Sequence, residues 1–157
     1  MAKNMKNLEL KIPPVAVVAI VGAAMWFVSI VLTKMNFDDG FNETMVIIFA
    51  VIGAAFGITG LMSFSIAKTT FDPMKPNSST SLVTSGIYSI TRNPMYVGLL
   101  SLLIAWGFFL ESAYSLFLAA AFVFYMNKFQ IEPEERALKG IFGNAYDEYV
   151  LHVRRWL

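Results

Sequence analysis

The sequence predicts an all-α, polytopic membrane protein, and three observations support this fold class. Hydrophobic residues make up 57% of the 157 residues, above the roughly 45–50% that is usual for soluble domains. Four long stretches carry no charged residue, and nearly all the cations fall on one side of the arrangement that these stretches define. We therefore expect lipid to surround most of the chain.

The uncharged stretches predict four membrane-spanning helices. They contain 22, 24, 18 and 16 residues, and about 20 helical residues cross the hydrocarbon core. The last two stretches are short and meet at Glu111 and Ser112, so we expect them to form a tight helical hairpin. The predicted spans are about 13–33, 44–66, 94–110 and 113–130.

The cations predict the orientation of these spans. If the N-terminus is cytoplasmic, 11 of the 12 Lys and Arg residues lie on the inner side and only Lys34 lies outside. This is the positive-inside pattern. We therefore expect an integral protein of a prokaryotic plasma membrane with both termini in the cytoplasm. A cleaved signal peptide is disfavoured, because the first apolar run is too long and no small-residue cleavage site follows it.

The composition disfavours several other functions. A net charge of +1 gives no basic excess for nucleic acid. With no cysteine and one histidine, the chain lacks thiolate chemistry and is a poor candidate for a zinc site. We therefore expect neither a metal nor a nucleic-acid partner.

We interpret residues 1–157 as one domain with two polar regions outside the spans. Residues 67–93 form a loop far longer than the roughly 2–8 residues that usually join helices in a bundle. Long ordered loops are often functional, and we assign this one as a catalytic loop, with a solvated connector as the alternative. Residues 131–157 are assigned as a C-terminal cap.

The C-terminal cap is predicted to contain two short helices. Gly140 is expected to end the first, and Asn144 is expected to cap the second. In the second helix apolar and aromatic residues share one stripe. Such a helix would lie on the inner membrane surface or fold back over the bundle. The residues of the stripe are Tyr146, Tyr149, Val150, Val153 and Trp156.

A polar cluster is predicted where the third span begins and the fourth ends. Because these spans form a hairpin, the residues at 92–96 and at 132–135 should be neighbours. An arginine fork binds carboxylates, and a glutamate binds cations, so the pair could hold a zwitterion. The alternative is that Arg92 only follows the positive-inside rule and the glutamates only begin a solvated helix.

Two segments carry a family resemblance. They read "LVTSGIYSITRNPMYVGLL" and "PEERALKGIFGNAYDEYVLHVRRWL". From about residue 70 to the end, the chain resembles the isoprenylcysteine carboxyl methyltransferase and phospholipid methyltransferase families of membrane enzymes. At Asn93 these families more often have histidine, so a hydrogen-bonding role is retained but proton transfer by an imidazole is not.

This resemblance implies methyl transfer from S-adenosylmethionine to a lipophilic acceptor at the inner membrane face. The implied catalytic residues are Arg92, Asn93 and Glu135. The implied cofactor-binding residues are Arg92, Pro94, Tyr96, Gly98, Glu134, Glu135, Tyr146 and Tyr149. The carboxylate and ammonium of the cofactor suit the arginine and the glutamates of the predicted cluster. The sequence has no glycine-rich loop of the dinucleotide-binding type, which disfavours a soluble methyltransferase of the Rossmann type.

Several alternatives stay open at this point. The acceptor could be a prenylcysteine-like carboxylate, a phospholipid amine, a small thiol or an isoprenoid or quinone-like hydroxyl. An NADPH-dependent enzyme of the steroid-reductase type would favour more cations in the loop, and a non-catalytic four-helix transporter or scaffold would favour a charge within a span. Gly53 and Gly57 share a helix face that suits close helix packing, either within the chain or in a homodimer.

Overall fold

The computed structural model describes residues 8–32, 39–67, 74 and 79–157, and the regular structure within these ranges is helical. This confirms the all-α class. Four longer helices come first, and two short helices follow them. They are α1 (Pro14–Val31), α2 (Asp39–Ile66), α3 (Pro94–Phe109), α4 (Ala113–Tyr125), α5 (Glu132–Phe142) and α6 (Asn144–His152). A 3-10 helix (Gly86–Ser89) precedes α3, and a π-helical segment (Met126–Ile131) joins α4 directly to α5.

Helices α1 and α2 are long and apolar enough to cross a membrane. Both expose large apolar side chains, such as Phe27 and Ile30 on α1 and Val51 and Ile58 on α2. Extended apolar surface of this kind suits lipid rather than water. Helix α3 is a shorter apolar helix of 16 residues, and the four-span topology stays a prediction. Several cations used for the orientation lie outside the described residues, namely Lys3, Lys6, Lys34, Lys68 and Lys75.

Glycines bring α2 and α3 into close contact. A Cβ atom at Gly98 would lie 2.9 Å from the carbonyl oxygen of Gly53 and 3.0 Å from the amide nitrogen of Gly57. Since these are backbone atoms, a side chain at Gly98 could not be accommodated without moving a helix. The predicted small-residue face of α2 is therefore used within the chain.

The main core lies where α1, α3, α4 and the π-helical segment meet. Met25, Phe122 and Met126 are fully buried there. Two side-chain hydrogen bonds fix α1 in place: Trp106 Nε1 donates to the carbonyl of Gly22 at 3.1 Å, and Ser115 Oγ donates to the carbonyl of Met25 at 2.8 Å. These bonds satisfy polar groups that would otherwise be costly in an apolar setting.

The predicted turn at Glu111 and Ser112 is observed between α3 and α4. Glu111 adopts a positive φ of 52°, which lets the chain reverse within three residues. The hydroxyl of Ser112 accepts a hydrogen bond from the amide of Ser115 at 3.3 Å and so caps α4.

The predicted boundaries of the C-terminal helices were wrong at two residues. Gly140 lies inside α5, and the helix ends only at Phe142. Gly143, with φ of 53°, makes the turn and is also the N-cap of α6, so Asn144 is the first helical residue instead of the cap. Only glycine adopts this backbone conformation without strain, which explains why the break falls there.

Candidate active site

The segment before α3 runs beside the C-terminal tail. Thr91 pairs with Arg154 in an isolated bridge, and the amide of Arg92 donates to the carbonyl of Arg154 at 2.9 Å. The side chains of Asn93 and Thr91 both donate to the carbonyl of Arg155, at 2.9 and 3.2 Å. The two segments thus lie in direct contact, and Asn93 takes part in this contact through its side-chain amide.

Glu135 binds two arginines. One oxygen accepts from Arg92 Nη2 at 2.8 Å and from Arg155 Nε at 3.1 Å, and the other accepts from Arg155 Nη2 at 2.6 Å. The hydrogen bond to Glu135 raises the pKa of Arg155. Arg92 also donates to the carbonyl of Val153 at 2.7 Å, next to the end of α6. This cluster holds the tail against α5.

This geometry differs from the sequence expectation in one respect. Arg92 and Glu135 were expected to face each other across a cavity, whereas their side chains are directly paired and only 11% and 19% exposed. Arg92 Nε, however, is buried and has no hydrogen-bond partner within the described ranges. A buried donor of this kind is unfavourable unless something binds it.

A second polar group surrounds Glu134. The hydroxyl of Tyr96 donates to Glu134 Oε1 at 2.6 Å, and Gln130 Nε2 donates to the same oxygen. Burial raises the pKa of Glu134 to about 7, although both hydrogen bonds act in the opposite direction. Glu134 therefore changes its protonation state near neutral pH.

The structure places Pro94 and Gly98 against α2. Pro94 is buried near Gly60, where a Cβ atom would lie 3.5 Å from the proline ring. Gly98 lies in the glycine contact with Gly53 and Gly57. Packing accounts for both residue types, and their assignment to cofactor binding stays a prediction.

Tyr146 and Tyr149 are buried in a second apolar cluster beneath α6, where they pack with Val153. The hydroxyl of Tyr149 donates to the carbonyl of Tyr88 at 2.6 Å. Burial raises the pKa of both tyrosines, so they stay neutral at physiological pH. Tyr149 ties α6 to the 3-10 helix, whereas Tyr146 faces the charges of Glu135 and Arg92.

An apolar cavity of about 250 Å³ adjoins this site. It lies where α1 begins, where α2 approaches its end and where α3 begins. Its wall includes Pro14, Gly57, Leu61, Met95 and Tyr96. Because Tyr96 also bonds to Glu134, one side chain separates this cavity from a carboxylate.

The sequence reasoning missed several residues of this site. Gln130 precedes Glu134 by four positions, and this helical spacing was a usable signal. Arg155 was not among the residues assigned to the site. The hydrogen bond of 2.9 Å from Trp156 Nε1 to Asn127 in the π-helical segment had no signal in the sequence. Within the described ranges, no group of three acidic or histidine side chains is placed to hold a metal ion.

The fold and the site are those of a helical membrane protein in which a charged cluster lies beside an apolar cavity. The family model for phospholipid methyltransferases matches residues 41–145, which is more than half of the chain. The chain therefore belongs to the phospholipid methyltransferase family, as predicted, and membership indicates a methyltransferase that acts on lipid-like substrates.

The chain is also similar to an uncharacterized protein of Haemophilus influenzae (strain ATCC 51907 / DSM 11121 / KW20 / Rd). The two are 40% identical over 63 residues, which cover 40% of this chain and 100% of that protein. No solved structure gives a significant match.

Proposed function

We propose that this protein transfers a methyl group from S-adenosylmethionine to a lipophilic acceptor at the inner membrane face. One observation carries the proposal: Arg92, Tyr96, Glu134 and Glu135 converge where α3 and α5 begin, beside an apolar cavity. A charged cosubstrate and an apolar one can thus meet at one site. Family membership supports the reaction class.

The residues present fit this cofactor. Its α-carboxylate suits the guanidinium of Arg92, whose buried Nε lacks an acceptor within the described ranges. Its amino group suits Glu135, the carboxylate beside Arg92. When bound, the cofactor supplies an electrophilic methyl group on a sulfonium centre.

The chain contributes alignment and the exclusion of water. Holding two reactants in line lowers a barrier by roughly 7–11 kcal/mol relative to free reactants. Arg92 and Asn93 fix the tail beside the start of α3, and Tyr149 fixes α6 to the 3-10 helix. These contacts make a rigid cover beside the two glutamates.

We propose that the acceptor reaches the site through the apolar cavity between α1, α2 and α3. A volume of about 250 Å³ is smaller than the roughly 300–1,000 Å³ of sites that enclose a whole small ligand. The cavity therefore suits one part of a hydrocarbon chain, while the remainder stays in lipid. A phospholipid amine, a prenylcysteine-like carboxylate and a small thiol are the acceptor classes to be compared.

The test is direct. Purified protein in lipid nanodiscs is incubated with methyl-labelled S-adenosylmethionine and a membrane lipid extract, and the labelled products are identified by mass spectrometry. The proposal predicts one labelled lipid class, with Arg92→Ala as the inactive control. Absence of a labelled lipid above the level of that control would contradict it.

A further inference from the structure

The two neighbouring glutamates occupy different surroundings. Both oxygens of Glu135 accept guanidinium hydrogen bonds from Arg92 and Arg155. Glu134 is partly buried, and neutral donors, Tyr96 and Gln130, bind its Oε1. A carboxylate neutralised by two cations is a poor proton acceptor, whereas one that only neutral groups hold keeps its basicity.

A hydrogen bond also links Glu134 to the wall of the apolar cavity. Tyr96 forms part of the wall of this cavity and is bonded to Glu134 at 2.6 Å. A head group that enters beyond the apolar wall therefore meets Tyr96 and Glu134 before the arginine cluster. The other titratable groups near Glu134 are Tyr88 and Glu135. Burial raises the pKa of Tyr88, so it stays neutral, and both oxygens of Glu135 are already bonded to arginines.

The geometry points to Glu134, positioned by Tyr96 and Gln130, as the group that takes the proton from the methyl acceptor. This inference rests on the proposed methyl transfer and assigns Glu134 to the acceptor, whereas the family resemblance implied a role in cofactor binding. It applies to an acceptor that arrives protonated, such as an ammonium head group.

The acceptor nitrogen gives one proton to the carboxylate of Glu134, and the electron pair freed on nitrogen forms the bond to the methyl carbon. The electrons of the broken sulfur–carbon bond remain on sulfur. The partial exposure of Glu134 gives the proton a route to solvent before the next turnover.

The ionisation of Glu134 suits this task. With a pKa of about 7, the carboxylate is available at neutral pH and yet basic enough to accept a proton, which is the range that favours general-base catalysis. A positioned base of this kind typically contributes roughly 10²- to 10⁴-fold in rate.

The experiment compares wild type with Glu134→Gln in nanodiscs that contain an amine phospholipid, between pH 6 and pH 10. The inference predicts unchanged calorimetric affinity for S-adenosylmethionine and turnover at pH 7 reduced by about 10²-fold or more. The deficit should shrink as the pH approaches about 10.4, the usual value for an alkyl ammonium, because solvent then deprotonates the acceptor. Glu132→Gln is the matched control, since Glu132 is half-exposed and pairs with Lys128.

Two further measurements keep the inference testable if Glu134→Gln does not fold. Tyr96→Phe removes a hydrogen bond that lowers the pKa of Glu134, so the rising limb of the pH profile should move to higher pH. Infrared spectra of the wild type without acceptor should show a protonated carboxyl band that titrates near pH 7. If the rising limb of the pH profile does not move in Tyr96→Phe, or if the infrared spectra show no such band, the assignment of Glu134 is overturned.

The outcomes separate this inference from the proposed function. If wild type transfers no methyl group to any lipid, both fail. If wild type is active and Glu134→Gln is equally active with the same pH profile, only the assignment of Glu134 fails. Loss of cofactor affinity in Glu134→Gln, with normal turnover at saturating cofactor, would make Glu134 a cofactor ligand and also overturn the inference.

Discussion

The hydroxyl of Tyr96 donates a hydrogen bond of 2.6 Å to Glu134, and this contact joins the first turn of α3 to the first turn of α5. It places a carboxylate where burial favours its neutral form. The stability of the fold therefore depends on the protonation of Glu134, and we propose that the chemistry of the site does as well.

Stability should fall with pH because of Glu134. Its pKa rises from 4.5 to about 7 in the folded protein, so the folded state holds the proton more tightly than the unfolded state. This contribution is complete below pH 4.5 and is lost as the pH rises through 7. Relative to Glu134→Gln, wild type should lose up to about 3 kcal/mol over this interval. Thermal unfolding of both proteins in detergent at several pH values measures this difference in stability. If the stabilities of wild type and Glu134→Gln change with pH in parallel, the prediction is refuted.

Arg92→Lys should loosen the C-terminal tail. A lysine cannot donate to Glu135 and to the carbonyl of Val153 in the geometry of a guanidinium. We expect a loss of about 1–3 kcal/mol and faster hydrogen exchange in α6, measured by mass spectrometry. Lys139→Gln is the control, because its ion pair with Asp147 is exposed and should contribute less than about 1 kcal/mol.

Gly98→Ala and Gly57→Ala should change stability differently. At Gly98 the new methyl group would meet backbone atoms at 2.9 and 3.0 Å, whereas at Gly57 nothing lies within 4 Å. Overpacking should cost Gly98→Ala about 1–3 kcal/mol, whereas Gly57→Ala should be neutral or stabilise by up to about 1 kcal/mol through helix propensity. Unfolding temperatures decide this, and equal shifts would contradict the packing role of Gly98.

Gly57→Leu tests the path of the acceptor. Because Gly57 borders the apolar cavity and a Cβ atom there would meet nothing within 4 Å, we expect a leucine at this position to reduce the volume of the cavity. We expect the KM for the lipid acceptor to rise about tenfold or more, with unchanged affinity for S-adenosylmethionine; Gly57→Ala provides the comparison. Unchanged lipid kinetics in Gly57→Leu would show that the acceptor enters elsewhere.

The sequence predicted the helical class, the turn at Glu111 and the meeting of the segments around Arg92 and Glu135. These follow from charge-free lengths and from chain connectivity, both of which a sequence displays directly. The sequence could not predict that Arg92 and Glu135 are directly paired. This pairing depends on where the two side chains lie once the C-terminal tail has packed against α5.

The end of α5 is a second feature that the sequence alone could not predict. Gly140 and Gly143 are equally good terminators by residue type, and the position of the break is decided by where α6 packs its tyrosines. The different surroundings of Glu134 and Glu135 have the same origin. Adjacent residues on a helix point in different directions, and only the packed structure tells which of them meets Arg92 and Arg155.

We propose that the cluster of Arg92 and Glu135 binds S-adenosylmethionine. Isothermal titration calorimetry with wild type, Glu135→Gln and the exposed control Lys139→Gln tests it most directly, with circular dichroism to show that each variant keeps its helices. We expect saturable binding in wild type and in Lys139→Gln, and at least a tenfold weaker affinity in folded Glu135→Gln. Equal affinity in all three proteins, or no binding by wild type, would contradict it.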